Sequence, residues 1–224
     1  MSKKLLKLLL IGISVPLIHG CSSATWNAVA ETWKLSGSRQ ANPRLTNDYV
    51  RNLPYASLLL KIEPNPNALV VLEKVNGKQQ QWRATNGALV MIEGARVTGL
   101  QVESINYHLH PAHKAIDPVK EEKWQYHQPY QLLVDFPHLG AYSQLLNCQL
   151  TEGAEEAFTT PLRSGTAKVY YESCQLSDGR FKTTNTYWVD TQQMKTVKAS
   201  QYFHPMLSGA IVFSEAKPLG WQAE

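Results

Sequence analysis

The sequence predicts an all-β protein, a large antiparallel meander folded over on itself as a half-barrel or a sandwich, with one short N-terminal helix. From Tyr55 onward, short runs of β-branched and aromatic residues are bounded by turn residues, as in consecutive strands. Only one strong helix signal is present, so no helical layer can cover the sheet, which must bury its own face. Three dipeptides suit the left-handed dihedral angles of tight hairpin turns: Asn76-Gly77, Asn86-Gly87 and Asp178-Gly179.

The N-terminus has the organisation of an export signal followed by a lipid anchor. Residues 1–7 carry three lysines, and the apolar run 8–18 has eleven residues, whereas a membrane-spanning helix needs about 20. Small Gly20 gives a peptidase access to the bond before Cys21, whose thiol resembles the acceptor of the diacylglyceryl group in secreted lipoproteins. Residues 1–20 are therefore predicted to be a removed signal peptide and Cys21 to carry lipid. An ordinary secreted protein and a buried cysteine are the alternatives.

The residue after the cysteine predicts the destination of the anchor. Ser22 stands where an aspartate would favour retention in the inner membrane. We therefore expect the lipid to insert into the inner leaflet of the outer membrane, with the domain facing the periplasm.

The charge of the mature chain excludes one class of partner. Removal of residues 1–20 takes away three lysines and no acid, which lowers the formal charge from +4 to +1. A nucleic-acid-binding domain needs a concentrated positive face. Nucleic acid is therefore not an expected partner.

Two units are predicted to follow the signal: residues 21–44 as lipid anchor, short helix and tether, and residues 45–224 as a single β-domain. The helix is predicted over residues 24–36, and its apolar stripe could pack on the domain or lie against the membrane surface. The stripe consists of Trp26, Val29, Ala30 and Trp33.

The β-domain opens with Thr46, whose hydroxyl can cap a single helical turn through Arg51. Strand-like runs joined by short turns are predicted to pair as antiparallel neighbours. The predicted pairs are 68–75 with 78–84, 167–176 with 181–189, and 196–203 with 210–215, and a further strand is predicted at 88–93. Residues 111–123, which contain acids and lysines, are interpreted as an exposed excursion between strands.

Cys148 and Cys174 are predicted to form a disulfide, because they remain as a pair in an oxidising compartment once Cys21 carries lipid. Both lie in strand-like stretches, so the bond would join neighbouring strands. Closing such a loop stabilises a fold by about 3 kcal/mol on the chain-entropy relation. The alternative is two buried thiols.

Catalytic and metal-binding patterns are weak. His108 and His110 could face one side of a strand with His113 nearby, but no acid or cysteine with matching spacing completes a metal site. The chain has no GxSxG motif and no serine beside a pattern that predicts a base. We therefore expect a protein that is not an enzyme and that needs neither a metal nor a cofactor.

Arg96 is the most interesting charged residue, because it lies between Gly94 and Gly99, two positions that suggest a bulge or a close backbone approach. Its guanidinium could pair with an acidic sugar or with an internal carboxylate. Trp82 and Trp188 lie in predicted strands and supply large core or rim surfaces. These three residues are the candidate ligand contacts.

Four segments together resemble the YjbF/GfcB family of outer-membrane lipoproteins. They are LPYAS at residues 53–57, Trp82 after the first hairpin, NGALVMIEG at residues 86–94, and the stretch 94–100 that ends in TGL. The similarity spans roughly residues 46–213. One departure is that Ala95 separates Gly94 from Arg96, whereas the family tends to place the glycine directly before the arginine.

The resemblance implies a meandering sheet folded like a half-barrel, a role in capsule or exopolysaccharide production, and no known catalytic activity. It also implies a link to an outer-membrane barrel. The expected function is therefore that of a non-enzymatic lipoprotein that assists polysaccharide secretion by docking to an export barrel. The alternatives are a glycan- or lipid-binding periplasmic module and, third, a polysaccharide-modifying enzyme. A deep groove with clustered acids would favour the enzyme, an apolar groove would favour the lipid carrier, and a filled interior with an exposed apolar edge would favour docking.

Overall fold

The computed structural model describes residues 46–62, 67–85, 87–102, 105–113, 115–202, 204–205, 207 and 209–221. In this part of the chain, twelve antiparallel strands form one closed barrel. The predicted signal peptide, the predicted lipidation site at Cys21, the predicted helix at 24–36 and the predicted tether lie outside the described residues. No helix within the described residues is long and apolar enough to cross a membrane.

In the described residues, one short α-helix precedes the twelve strands. They are α1 (Asn47–Arg51), β1 (Ser57–Ile62), β2 (Ala68–Asn76), β3 (Gln79–Ala84), β4 (Leu89–Glu93), β5 (Arg96–Val102), β6 (Ile105–Pro111), β7 (Tyr130–Phe136), a 3₁₀ turn (Pro137–Leu139), β8 (Ala141–Thr159), β9 (Ser164–Leu176), β10 (Lys182–Asp190), β11 (Thr196–Gln201) and β12 (Ile211–Lys217).

Local signals account for the helix and for the hairpins. Thr46 accepts a hydrogen bond at Oγ1 from the amide of Tyr49 at 3.1 Å, which confirms the predicted cap of α1. Gly77, at the turn between β2 and β3, has φ +60°, the left-handed conformation that the sequence predicted there. The hairpin of β9 with β10 is also confirmed.

Every strand pairs with its neighbour in sequence, so the meander is confirmed. The half-barrel or sandwich is wrong, because β1 also pairs with β12, from Ser57 opposite Lys217 to Ile62 opposite Ile211. This closing pair joins the two ends of the β-domain and carries no turn signal. Closure removes both sheet edges, which an open half-barrel would leave with unpaired backbone groups.

The interior is a continuous hydrophobic core. Inward-facing residues from all twelve strands contribute to it, among them Leu60, Trp82, Leu100 and Phe213, each at most 4% exposed. About eight strands make a barrel that its own side chains can fill, and twelve make a wider one. The additional filling comes from the inserted segment, the described residues between β6 and β7 (112–113 and 115–129).

The inserted segment lies between strands, as predicted, but it is only partly exposed, because it folds back against the barrel. Val119 is fully buried, Asp117 is 3% exposed and Trp124 is 2% exposed. The amide of Ala95 donates to the carbonyl of Val119 at 3.3 Å. Charged side chains of the segment reach the barrel rim through three ion pairs at 2.7–2.8 Å, which are Lys120–Glu93, Glu121–Lys78 and Glu122–Lys195. The acids and lysines therefore mark a docked segment.

Cys148 and Cys174 form the predicted disulfide. They lie directly opposite each other on β8 and β9, with their Cα atoms 4.1 Å apart. Both are buried, at 3% and 1% exposed. The bond joins the two longest strands of the barrel at the height of the core.

Candidate functional site

Arg96 is fully buried at the start of β5 and lies at the centre of a dense hydrogen-bond network. Its Nε and Nη2 donate to the two carboxylate oxygens of Asp117 at 2.9 and 2.8 Å. Its Nη1 and Nη2 donate to the two oxygens of Glu172 on β9 at 2.7 and 2.6 Å. Of the two pairings that the sequence left open, the structure shows the internal carboxylate. One guanidinium thus makes two bidentate ion pairs, the strongest geometry for this group.

A second layer of neutral groups completes the network around Glu172. Tyr130 donates to its Oε1, while Asn185 and Tyr187 donate to its Oε2 at 2.7 and 2.8 Å. Gln201 on β11 bridges β5 by accepting from the amide of Val97 at 3.1 Å and donating to the carbonyl of Ala95 at 2.9 Å. The network therefore connects the inserted segment to five strands of the barrel.

The electrostatics follow from burial and from the ion pairs. Burial lowers the pKa of Arg96, but the charges of Asp117 and Glu172 outweigh this effect and raise the pKa well above its ordinary value. Burial raises the pKa of Glu172, yet Arg96 and the hydrogen bonds lower it below 4.5. Burial also raises the pKa of Tyr187, which stays a neutral donor. One cation and two carboxylates are thus held inside the barrel.

This network predicts a pH dependence of stability. Because the folded pKa of Glu172 is below its ordinary value of 4.5, its contribution to stability is present above pH 4.5 and is lost as the pH falls through the folded pKa. The difference in unfolding free energy between the wild type and E172Q should therefore be larger at pH 7 than near pH 3. Denaturant unfolding at both pH values measures it. The exposed Glu73→Gln is the control, and equal differences at both pH values would contradict the role of Glu172.

The network offers a substrate no access to its reactive groups. Five of its side chains have no exposed surface: Arg96, Glu172, Asn185, Tyr187 and Gln201. Within the described residues, the group with metal-like spacing is Cys148, Glu172 and Cys174, whose ligand atoms lie within 4.8 Å. The two sulfurs are joined in the disulfide, so they are not thiolates. The arrangement can hold the inserted segment and the strands in one register.

The other sequence-predicted residues lie apart from this network. Trp82 is 3% exposed and belongs to the hydrophobic core, so we assign it to packing. Trp188 is half-buried on the outer face of β10. His108, His110 and His113 are exposed. The three candidate ligand contacts are therefore not brought together.

The sequence analysis did not identify Glu172 and Asp117 as the partners of Arg96. Only Glu172 lies in a sequence pattern that could have predicted its burial. Glu172 alternates with Tyr170 and Cys174 on β9, so period-two spacing puts a carboxylate on the buried face of that strand. A buried carboxylate demands a cation. Asp117 lies in the inserted segment, where no periodicity shows its direction.

The twelve antiparallel strands and the buried ion-pair network define a closed, all-β barrel domain. The sequence matches the family described as group 4 capsule polysaccharide lipoprotein gfcB, YjbF, over residues 24–210, and the chain belongs to this YjbF family. The crystal structure of the hypothetical lipoprotein YmcC from Escherichia coli is similar, with a TM-score of 0.66 and 16% sequence identity. The match covers 91% of this chain and 100% of that one. No curated protein matches the sequence.

Proposed function

We propose that this protein is a non-enzymatic, lipid-anchored component of the outer membrane that assists secretion of a capsule or exopolysaccharide by docking to an export barrel. The family match supports the link to capsule polysaccharide and to a lipoprotein. The signal sequence and Cys21 support the anchor. In this proposal the anchor holds the domain on the periplasmic side of the outer membrane.

The observation that carries the docking role is the filled interior. Trp124 of the inserted segment packs against Tyr170 and Tyr187, with ring centroids 5.1 and 5.5 Å apart. Arg96 and its partners fill the adjoining space. A polymer or a lipid would have to displace a fully hydrogen-bonded ion-pair network to enter the barrel, which costs several kcal/mol. We therefore place the contacts with partners on the outer surface of the barrel.

A suitable surface lies where the described chain begins. Lys217 on β12 donates to the carbonyl of Arg51 at 2.9 Å and to that of Leu53, which ties α1 to the barrel end. Large side chains are exposed around this junction: Tyr49 at 43%, Tyr55 at 44% and Leu219 at 61%. Exposed tyrosines are typical anchors in protein interfaces, and the leucine adds apolar surface. We assign this junction to the membrane partner.

The test is replacement of Cys21 with alanine in cells that make the polymer. We expect C21A to fold but to lower surface polysaccharide, because the tether raises the local concentration of the domain near a membrane partner. The measurements are cell-surface polysaccharide and the membrane fraction of the protein. Ser23→Ala, which keeps the lipid acceptor, is the matched control.

Two outcomes would overturn the proposal. Full secretion with an unanchored C21A protein would exclude docking at the membrane. Shortening or chemical modification of the polymer by the purified full-length protein would replace docking with enzymatic activity.

A further inference from the structure

The outer surface carries a groove with a volume of about 220 Å³ between the end of the β8–β9 hairpin and strands β10–β12. Trp188, Lys198 and Ser214 form its floor, directly opposite one another on three adjacent strands. Phe158 and Glu156 contribute from β8. The groove lies outside the barrel and is separate from the Arg96 network.

The hairpin end, residues 156–166, is held over these strands by Arg163. This guanidinium donates to both oxygens of Glu215 on β12, at 2.7 and 3.1 Å, and also pairs with Asp190 at the end of β10. A shift in strand register between Glu152 and Glu155 marks an irregularity of the kind that bends a strand. The wall of the groove is therefore fixed before any ligand arrives, which lowers the cost of binding.

The lining combines an aromatic face with polar groups. The Nζ of Lys198 lies 4.3 Å from the ring centre of Trp188, and the indole Nε1 donates to Glu156 at 2.8 Å. Lys198 forms no salt bridge with any described residue. The groove thus contains an ammonium donor over one face of the tryptophan ring, a carboxylate acceptor bonded to the indole, and the ring of Phe158.

We propose that this groove binds one uncharged sugar residue of a polysaccharide. The C–H face of a sugar ring packs on aromatic side chains, and its hydroxyls both donate to a carboxylate and accept from an ammonium. The charges of Glu156 and Lys198 cancel, so the groove has no net preference for an acidic sugar. Its volume is below the range of about 300–1,000 Å³ that is usual for drug-sized ligands, which fits a single sugar ring. This inference deepens the proposed function and rests on it for the identity of the polymer.

The test is saturation-transfer NMR of purified full-length protein with millimolar glucose, galactose and glucuronate. We expect transfer to a neutral hexose that is at least as strong as transfer to glucuronate. W188A removes the ring, and S214F fills the groove from β12, so each should weaken binding about tenfold. T184A, at an exposed position on the same strand, is the matched control and should bind like the wild type.

The result that overturns the inference is an absence of transfer to every sugar, or equal transfer in the wild type and in S214F. A preference for glucuronate would also overturn it. If W188A unfolds, binding to S214F still tests the inference, because this substitution removes no existing contact of Trp188. If no sugar binds but secretion still depends on Cys21, the sugar-binding inference is refuted and the proposed function stands. The two proposals are therefore tested independently.

Discussion

R96M is expected to lower the free energy of unfolding by about 3–5 kcal/mol, the largest effect predicted for any single substitution in the barrel. Methionine keeps most of the side-chain volume but removes the cation from two bidentate ion pairs with Asp117 and Glu172. Two carboxylates would then remain buried without a positive partner, at 2% and 0% side-chain exposure. Chemical denaturation of the purified protein measures the loss.

A matched control separates burial from the chemistry of the substitution. Arg83 on β3 pairs with Glu73 at 2.7 Å, but the two side chains are 44% and 41% exposed. R83M should therefore change stability far less than R96M does.

A double variant tests the cause of the loss. Adding E172M to R96M removes one of the unpaired carboxylates, and we expect part of the lost stability to return. Equal effects of R96M and R83M would show that the buried network contributes no more than a surface pair.

G94A is expected to destabilise the protein by about 2–5 kcal/mol for two reasons that add. Gly94 has φ +56°, where an L-residue costs about 1–2 kcal/mol. A Cβ at this position would also overlap the carbonyl oxygen of Lys120 and lie 3.0 Å from that of Val119. Overpacking against backbone typically costs about 1–3 kcal/mol, and here it would push the inserted segment away from the barrel.

Gly77→Ala is the control for the first reason alone. Gly77 has φ +60°, but an added Cβ would meet no atom within 4 Å. G77A should therefore lose only about 1–2 kcal/mol. Hydrogen exchange should show faster exchange of the Val119 and Lys120 amides in G94A than in G77A. Equal stability and equal exchange in the two variants would mean that the inserted segment does not pack closely against Gly94.

Short-range features were predictable because their causes lie within a few residues. The Thr46 cap and the turn at Gly77 depend on side-chain chemistry and on φ at single positions. The strand pairs that flank tight turns follow from the turns themselves. Cys148 and Cys174 were predictable as a pair because, with Cys21 assigned to lipid, two cysteines remain in an exported chain.

The candidate site was only half visible in the sequence. Arg96 was noticeable because glycines flank it, but Asp117 and Glu172 lie 21 and 76 residues away along the chain. Nothing local to Asp117 distinguishes it from a solvated acid. The outer groove was less visible still, because Arg163 reaches Glu215 across 52 residues.

The sequence by itself determined the all-β class, the meander and the hairpins, because strand periodicity and turn chemistry are local properties. Only the tertiary structure decided that the sheet closes between β1 and β12 and that the inserted segment fills the interior. Closure depends on accumulated twist and on the register of twelve strands, which no single stretch encodes. Whether a polar segment packs into the barrel or lies in solvent depends on which buried charge it can neutralise. That charge is known only once the strands are in place.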